Sequence, residues 1–252
     1  MFEELAKLIE KSVKEDVEGK EVAVAFSGGV DSTLMAFLSK KYAKSVKLYT
    51  ISFPDKEDLI YAKRIAPLLG LEHRVYLLNN DEARHLYLTV ESKLHLGFLK
   101  SEILAPLEKL FEIVEEKYVV FGAASEELFL GYERYYKWIE EGIDEEEINK
   151  RLIKEYHILG NGGDIWAIDE IGKSHSKISL FPLYKDYIKD IAFSIPLAIR
   201  AKDKERKKHV IREVARYFGI PEIAINRKKR ALQYGTGIHK KLLKMKKKGI
   251  IE

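Results

Sequence analysis

The chain has 252 residues, 46% of them hydrophobic, which is enough for one large domain with a filled core. It contains no cysteine, so disulfides, thiolate metal sites and a cysteine nucleophile are excluded. A net charge of +4 is too small to imply a nucleic-acid partner, and no run of about 18 apolar residues suits a membrane span.

Residues 2–17 place Phe2, Leu5, Ala6, Ile9, Val13 and Val17 on one helical face. Strands and helices then alternate. Strands are predicted at 22–26, 46–53, 74–78 and 118–121, and helices at 33–42, 56–69, 81–95 and 102–117. Gly70 is placed to stop the second of those helices. This alternation predicts an α/β fold with a doubly wound parallel sheet of about five strands and ligands at the carboxyl ends of the strands. From Ser125 helices dominate, predicted at 125–141, 144–158, 164–173, 184–194 and 203–218, with a short fifth strand at 178–181. Asp144 with Glu147 reads as a variant capping box. Residues 227–237 read as a polar, Gly-containing loop. The expected organisation is a single domain, with nucleotide-binding architecture to residue 122 and a helical part that completes the site.

Ser27-Gly28-Gly29-Val30-Asp31-Ser32 joins the first of these strands to the next helix. A Gly-rich turn there offers backbone N–H groups and the positive end of the helix dipole to an anion. Ser27 and Ser32 add hydroxyl donors. Asp31 would repel a bare phosphate, so it suggests a bridging Mg²⁺. The loop lacks the Lys of a Walker A motif. Past the fourth strand comes Gly122-Ala123-Ala124-Ser125-Glu126-Glu127-Leu128-Phe129-Leu130-Gly131-Tyr132. Its adjacent carboxylates can hold a metal across a cleft from Asp31; on spacing alone they equally complement a helix dipole.

S-G-G-x-D-S resembles the PP-loop of ATP pyrophosphatases. The second stretch is similar to the S-G-x-G-x-D-E-x-F-x-G-Y segment of the asparagine synthetase and β-lactam synthetase family. Lys208-His209-Val210-Ile211-Arg212 resembles that family's K-x-x-L-R helix, and Asp58 with Ala62 its D-x-x-x-A helix. Pro221 followed by residues 227–237 resembles its L-P…R-x-K-x-x-F-x-x-G-x-G loop. Phe181-Pro182-Leu183 resembles its P-F-L-D segment without the Asp. The resemblance implies ATP and Mg²⁺ as cofactors, adenylation of a carboxylate, release of pyrophosphate and transfer of ammonia or an amine. It implies that Ser27, Gly28, Gly29, Asp31 and Ser32 hold the β- and γ-phosphates and Mg²⁺, with Asp31 and Glu126 as metal ligands. Phe26, Phe53, Phe121 and Gly122 match positions beside the adenosine. Lys208 matches a lysine near the pyrophosphate, and Lys229 the lysine that stabilises transition-state charge.

Two departures qualify this. The family's general base is Glu or Tyr, and Ala123 stands in its place. The family's glutaminase domain, with its catalytic first Cys, has no counterpart in the sequence. Nitrogen is therefore expected from free ammonia, another amine or a separate amidotransferase subunit. The expected partners are a small carboxylate and an amine; a second copy of the chain is a further candidate. Lys-rich stretches at 202–216 and 227–248 keep RNA base modification as an unfavoured alternative, beside a non-catalytic nucleotide-binding subunit and an NAD synthetase-like enzyme. The charged first 17 residues show no secretion signal, so the expected compartment is the cytoplasm. Abundant Lys and Glu with a single Gln hints at a thermophile.

Overall fold

The structure is a computed structural model that describes residues 1–228 and 231–251. In chain order the elements are α1 (Phe2–Val17), β1 (Glu21–Ala25), α2 (Val30–Tyr42), β2 (Ser45–Ser52), α3 (Glu57–Leu69), β3 (Glu72–Leu77), α4 (Asn80–Leu94), α5 (Phe98–Ile113) and β4 (Tyr118–Val120). The second half adds α6 (Ser125–Leu128), α7 (Glu133–Glu140), α8 (Glu145–Gly160), α9 (Asp164–Ser174), β5 (Ile178–Leu180), α10 (Asp186–Ser194), α11 (Leu197–Arg200), α12 (His209–Tyr217), α13 (Glu222–Ile225), α14 (Leu232–Gly235) and α15 (Ile238–Lys246).

The five strands are ordered β3-β2-β1-β4-β5, and every pairing is parallel. The fold class expected from the sequence is therefore the observed one. β1 reads Glu-Val-Ala-Val-Ala because a central parallel strand is covered on both faces. Val22 and Val24 join a core with Leu5, Ile9 and Val13 of α1, Leu34 and Leu38 of α2, and Val210 and Val214 of α12. Ala23 points the other way, into a core with Tyr49, Ile51, Leu104, Phe111, Val119 and Ile171. A smaller cluster around Tyr135, Tyr136, Ile148 and Leu152 consolidates α7 and α8. Among the described residues no helix is long and apolar enough to cross a membrane.

The strand order runs outward from β1 in both directions, so the chain reverses between β1 and β4. Open α/β sheets bind ligands in the crevice that such a reversal leaves at the carboxyl ends. The β1–α2 loop and the β4–α6 loop flank this crevice.

Three expectations need correction. The helix expected at 125–141 is broken between α6 and α7, where Leu130 has φ 56°. The break lets Gly131 pass Lys208, because a Cβ on Gly131 would lie 2.7 Å from Lys208 Cε. The helix expected from residue 203 starts only at His209, because Lys207 and Lys208 both take left-handed backbone, with φ 61° and 57°. The loop expected at 227–237 contains α14, and α15 follows, seating Ile238 and Leu242 in the core under α4 and α5. Gly70 does end α3, with φ 60°. Only half of the capping box forms at Asp144. Its side chain accepts from Glu147 N–H at 2.9 Å, while the Glu147 carboxylate pairs with Arg151 at 2.7 Å.

Candidate active site

The β1–α2 loop is tied by its own serines. Gly29 N–H donates to Ser27 Oγ at 3.3 Å, Ser27 N–H donates to Ser32 Oγ at 3.3 Å, and Ser32 Oγ donates to Gly29 C=O at 3.2 Å. Gly28 has φ 70°, and a Cβ there would sit 2.7 Å from Ala62 N. The first helical hydrogen bond of α2 is donated by Thr33 N–H to Gly29 C=O. The N–H groups of Val30, Asp31 and Ser32 therefore lie ahead of the ladder, where an anion can use them.

Asp31 stands in the first turn of α2 and faces the β4–α6 loop. The approach is close: a Cβ on Gly122 would lie 2.9 Å from Asp31 Cβ, so only glycine fits. Ser125 Oγ donates to Asp31 Oδ1 at 2.5 Å. Lys208 Nζ lies 2.6 Å from Asp31 Oδ2 and 2.9 Å from Glu126 Oε1. The Lys208 side chain is fully buried, whereas the two carboxylates are 18% and 15% exposed. Burial works against the ammonium, but Asp31 and then Glu126 outweigh it and hold the Lys208 pKa above the ordinary lysine value.

Arg227 locks this loop from outside. Its Nη1 donates to Ser27 C=O at 2.5 Å, its Nη2 pairs with Asp58, and its guanidinium lies 4.6 Å from the centre of the Tyr61 ring. Asp58 and Ala62 are four residues apart and share one face of α3. The first anchors Arg227 and abuts Gly235; the second abuts Gly28. Arg212 is buried and gives hydrogen bonds to the carbonyls of Arg206, Lys207 and Arg227.

These parts surround a cavity of about 360 Å³. Phe26, Ser27, Gly29, Asp31, Ser32, Phe121, Gly122, Glu126 and Lys208 all border it. Gly28 and Phe53 do not. Gly28 shapes the turn from behind, and Phe53 N–H donates to Thr236 C=O at 3.0 Å, beside the bordering Thr50 and Ile51. Lys229 lies outside the described residues. Ala123 borders the cavity and carries no proton acceptor.

Sequence reasoning assigned no role to Glu127, Tyr132, Asp164, Arg212 or Arg227, all of which border the cavity. Glu127 and Arg227 lay inside quoted motifs, and Asp164 followed a Gly-Gly turn at a helix start, so each carried a signal. Burial first, and the Glu126 charge second, push the Glu127 carboxyl up to about 8. Burial, then Glu126, Glu127 and Asp164, raise the Tyr132 phenol well above its usual value.

The donor set fits a magnesium–triphosphate. Asp31 and Glu126 already converge on one cationic point, and Mg²⁺ takes one or two carboxylates with phosphate oxygens and water completing its shell. The serine hydroxyls and unpaired helix-start N–H groups lie on the same wall of the cavity.

Sheet order and loop together define an α/β protein of the adenine nucleotide α-hydrolase type. The asparagine synthase family model matches residues 4–160, and the chain belongs to that family. A putative glutamine-hydrolysing asparagine synthetase of Methanocaldococcus jannaschii is 27% identical over 98% of this chain and 51% of its own length. The asparagine synthetase of Mesocricetus auratus is 25% identical over 77% of this chain and 36% of its own. The chain thus spans about half the length, or less, of these curated relatives. An NMN synthetase structure from Francisella tularensis shares the fold, with a TM-score of 0.51 at 12% identity over 93% of this chain and 77% of that one.

Proposed function

We propose that this chain is an ATP-dependent carbon–nitrogen ligase that adenylates a carboxylate, releases pyrophosphate and transfers nitrogen to the acyl group. The carrying observation is the convergence of Asp31, Glu126 and Lys208 beside the serine-lined helix start, at the strand reversal. Ser27, Gly29 and Ser32 would hold the β- and γ-phosphates, with Gly28 setting the turn. Asp31 and Glu126 would hold Mg²⁺, which neutralises phosphate charge when bound. Phe26, Phe121 and Gly122 would border the adenosine.

In the first step a substrate carboxylate oxygen attacks the α-phosphorus. The bond to the bridging oxygen breaks and pyrophosphate leaves with its electron pair. The chain supports this by position and charge, since fixed donors and cations are the main catalytic resource in phosphoryl-group chemistry. Lys208 carries a positive charge in a dry setting where it has full effect on the leaving phosphates. Lys229, by its place in the matching loop, is assigned to the charge that develops on the acyl-phosphate. In the second step the nitrogen attacks the acyl carbon and AMP leaves. Ala123 takes no proton from that nitrogen, so a self-sufficient enzyme working on aspartate and ammonium should be slow near neutral pH.

The test is pyrophosphate release from ATP with a panel of carboxylates and amines, for the native chain and Asp31→Asn. Carboxylate-dependent release that the substitution abolishes supports the reading. Release with no carboxylate dependence, or native release by Asp31→Asn, rejects it.

A further inference from the structure

Beyond the phosphate-facing wall, the cavity has a second charged end. It is formed by Glu127 of α6, Tyr132 at the start of α7 and Asp164 at the start of α9. Glu127 is only 4% exposed and borders the cavity, and among the described residues no other residue hydrogen-bonds its carboxyl. A buried carboxyl held without a donor is costly unless a ligand supplies one. Asp164 lies close enough to act electrostatically on both Glu127 and Tyr132. Its described partner, Lys100, lies at 3.7 Å, with both side chains over 40% exposed.

The bordering cations are engaged elsewhere. Lys208 pairs with Asp31 and Glu126, Arg212 gives its donors to carbonyl oxygens, Arg227 holds Ser27 and Asp58, and Lys228 pairs with Glu205. Arg134, stacked on the Tyr132 ring, pairs with Glu155 at 2.6 Å. A carboxylate entering this end would meet acceptors and like charge; an amine would meet the donors' complement. Ile165 and Ile168, on the helix that Asp164 opens, add an apolar wall.

We propose that the Glu127–Tyr132–Asp164 end of the cavity receives a primary amino group of a substrate. This rests on the ligase reading and narrows its substrate class. The amine belongs either to the nitrogen nucleophile or to the activated carboxylate molecule. Both sources present the same N–H donors to the same acceptors.

Calorimetric titrations with butylamine, 4-aminobutanoate and butanoate, each with and without ATP and Mg²⁺, test the proposal. Pyrophosphate–ATP exchange is measured on the same mixtures. Butylamine and 4-aminobutanoate are expected to bind, with butanoate at least tenfold weaker than 4-aminobutanoate. Glu127→Gln and Asp164→Asn, checked for native thermal melts, are each expected to weaken 4-aminobutanoate at least tenfold. Should Glu127→Gln fail to fold, Asp164→Asn at the cavity mouth carries the test. Exchange driven by 4-aminobutanoate assigns the amine to the carboxylate substrate; amine binding without exchange assigns it to the nucleophile. Butanoate binding as tightly as 4-aminobutanoate, no amine binding in either condition, or unchanged affinity in the variants overturns the proposal. Loss of exchange with every carboxylate, while amine selectivity persists, instead overturns the ligase reading alone.

Discussion

Replacing Lys208 with Met keeps the length of the side chain and removes the cation that Asp31 and Glu126 share. At an effective dielectric of about 20, contacts of 2.6 and 2.9 Å are each worth roughly 6 kcal/mol before desolvation. Breaking a buried pair by deleting one partner costs about 3–5 kcal/mol. The carboxylates here are 18% and 15% exposed, which screens them and favours the lower figure, about 3 kcal/mol. For a chain of this size that is a fall in Tm of about 6–12 °C. Melts in excess chelator should show it. Millimolar Mg²⁺ should then raise the Tm of Lys208→Met more than that of the native chain, because the divalent ion can take the place that the ammonium left. A variant melting within about 2 °C of native in chelator, or an equal Mg²⁺ response in both, would refute the argument.

Gly28→Ala forces a side chain into left-handed backbone and 2.7 Å from Ala62 N, so ATP affinity by calorimetry should fall at least tenfold, on the order of 1.4 kcal/mol or more; native affinity would show that the turn tolerates a Cβ. His73 is lowered to about 4, chiefly by burial and then by Lys63, and its Nε2 lies 2.8 Å from Thr50 Oγ1. Its neutral form is the folded one, so its contribution is complete above the unfolded value of 6.5 and is lost as pH falls towards 4. The ceiling is about 3 kcal/mol, and chemical denaturation of His73→Gln across this window should give a flatter profile than the native chain; equal slopes would reject the assignment. Lys229→Ala should lower kcat by roughly 100-fold with little change in the ATP KM in steady-state assays, as for loss of one transition-state stabiliser; near-normal turnover would make it a surface lysine.

The sheet was legible because its central strands are continuous apolar runs and its helices carry one-sided patterns. The same is true of the loop Ser27 to Ser32, whose glycines and hydroxyls are local requirements. What escaped was set by tertiary contact. Nothing local foretells left-handed backbone at Leu130, Lys207 or Lys208, since none is glycine. These conformations are imposed by bringing Gly131 and the Lys208 side chain together across α6. The tail helix α15 was obscured because its charged face is long and only Ile238 and Leu242 are fully buried. Asp58 and Ala62 could be matched to a motif, but their separate contacts with Arg227 and Gly28 needed the folded chain.

The same three side chains also bear on the order in which the proposed ligands assemble. Lys208 Nζ and a divalent cation would claim the same oxygens, Asp31 Oδ2 and Glu126 Oε1. In the free protein the ammonium holds them, at no cost in further desolvation. A triphosphate seated on Ser27, Gly29 and Ser32 offers Nζ a second set of anionic oxygens. Lys208 can then turn from carboxylate to phosphate and release both acids to the metal that the nucleotide brings. Each ligand lowers the cost of seating the other, which is a coupling free energy between two sites. On this argument ATP and Mg²⁺ bind the native chain cooperatively, and Lys208→Met uncouples them because its carboxylates need no release.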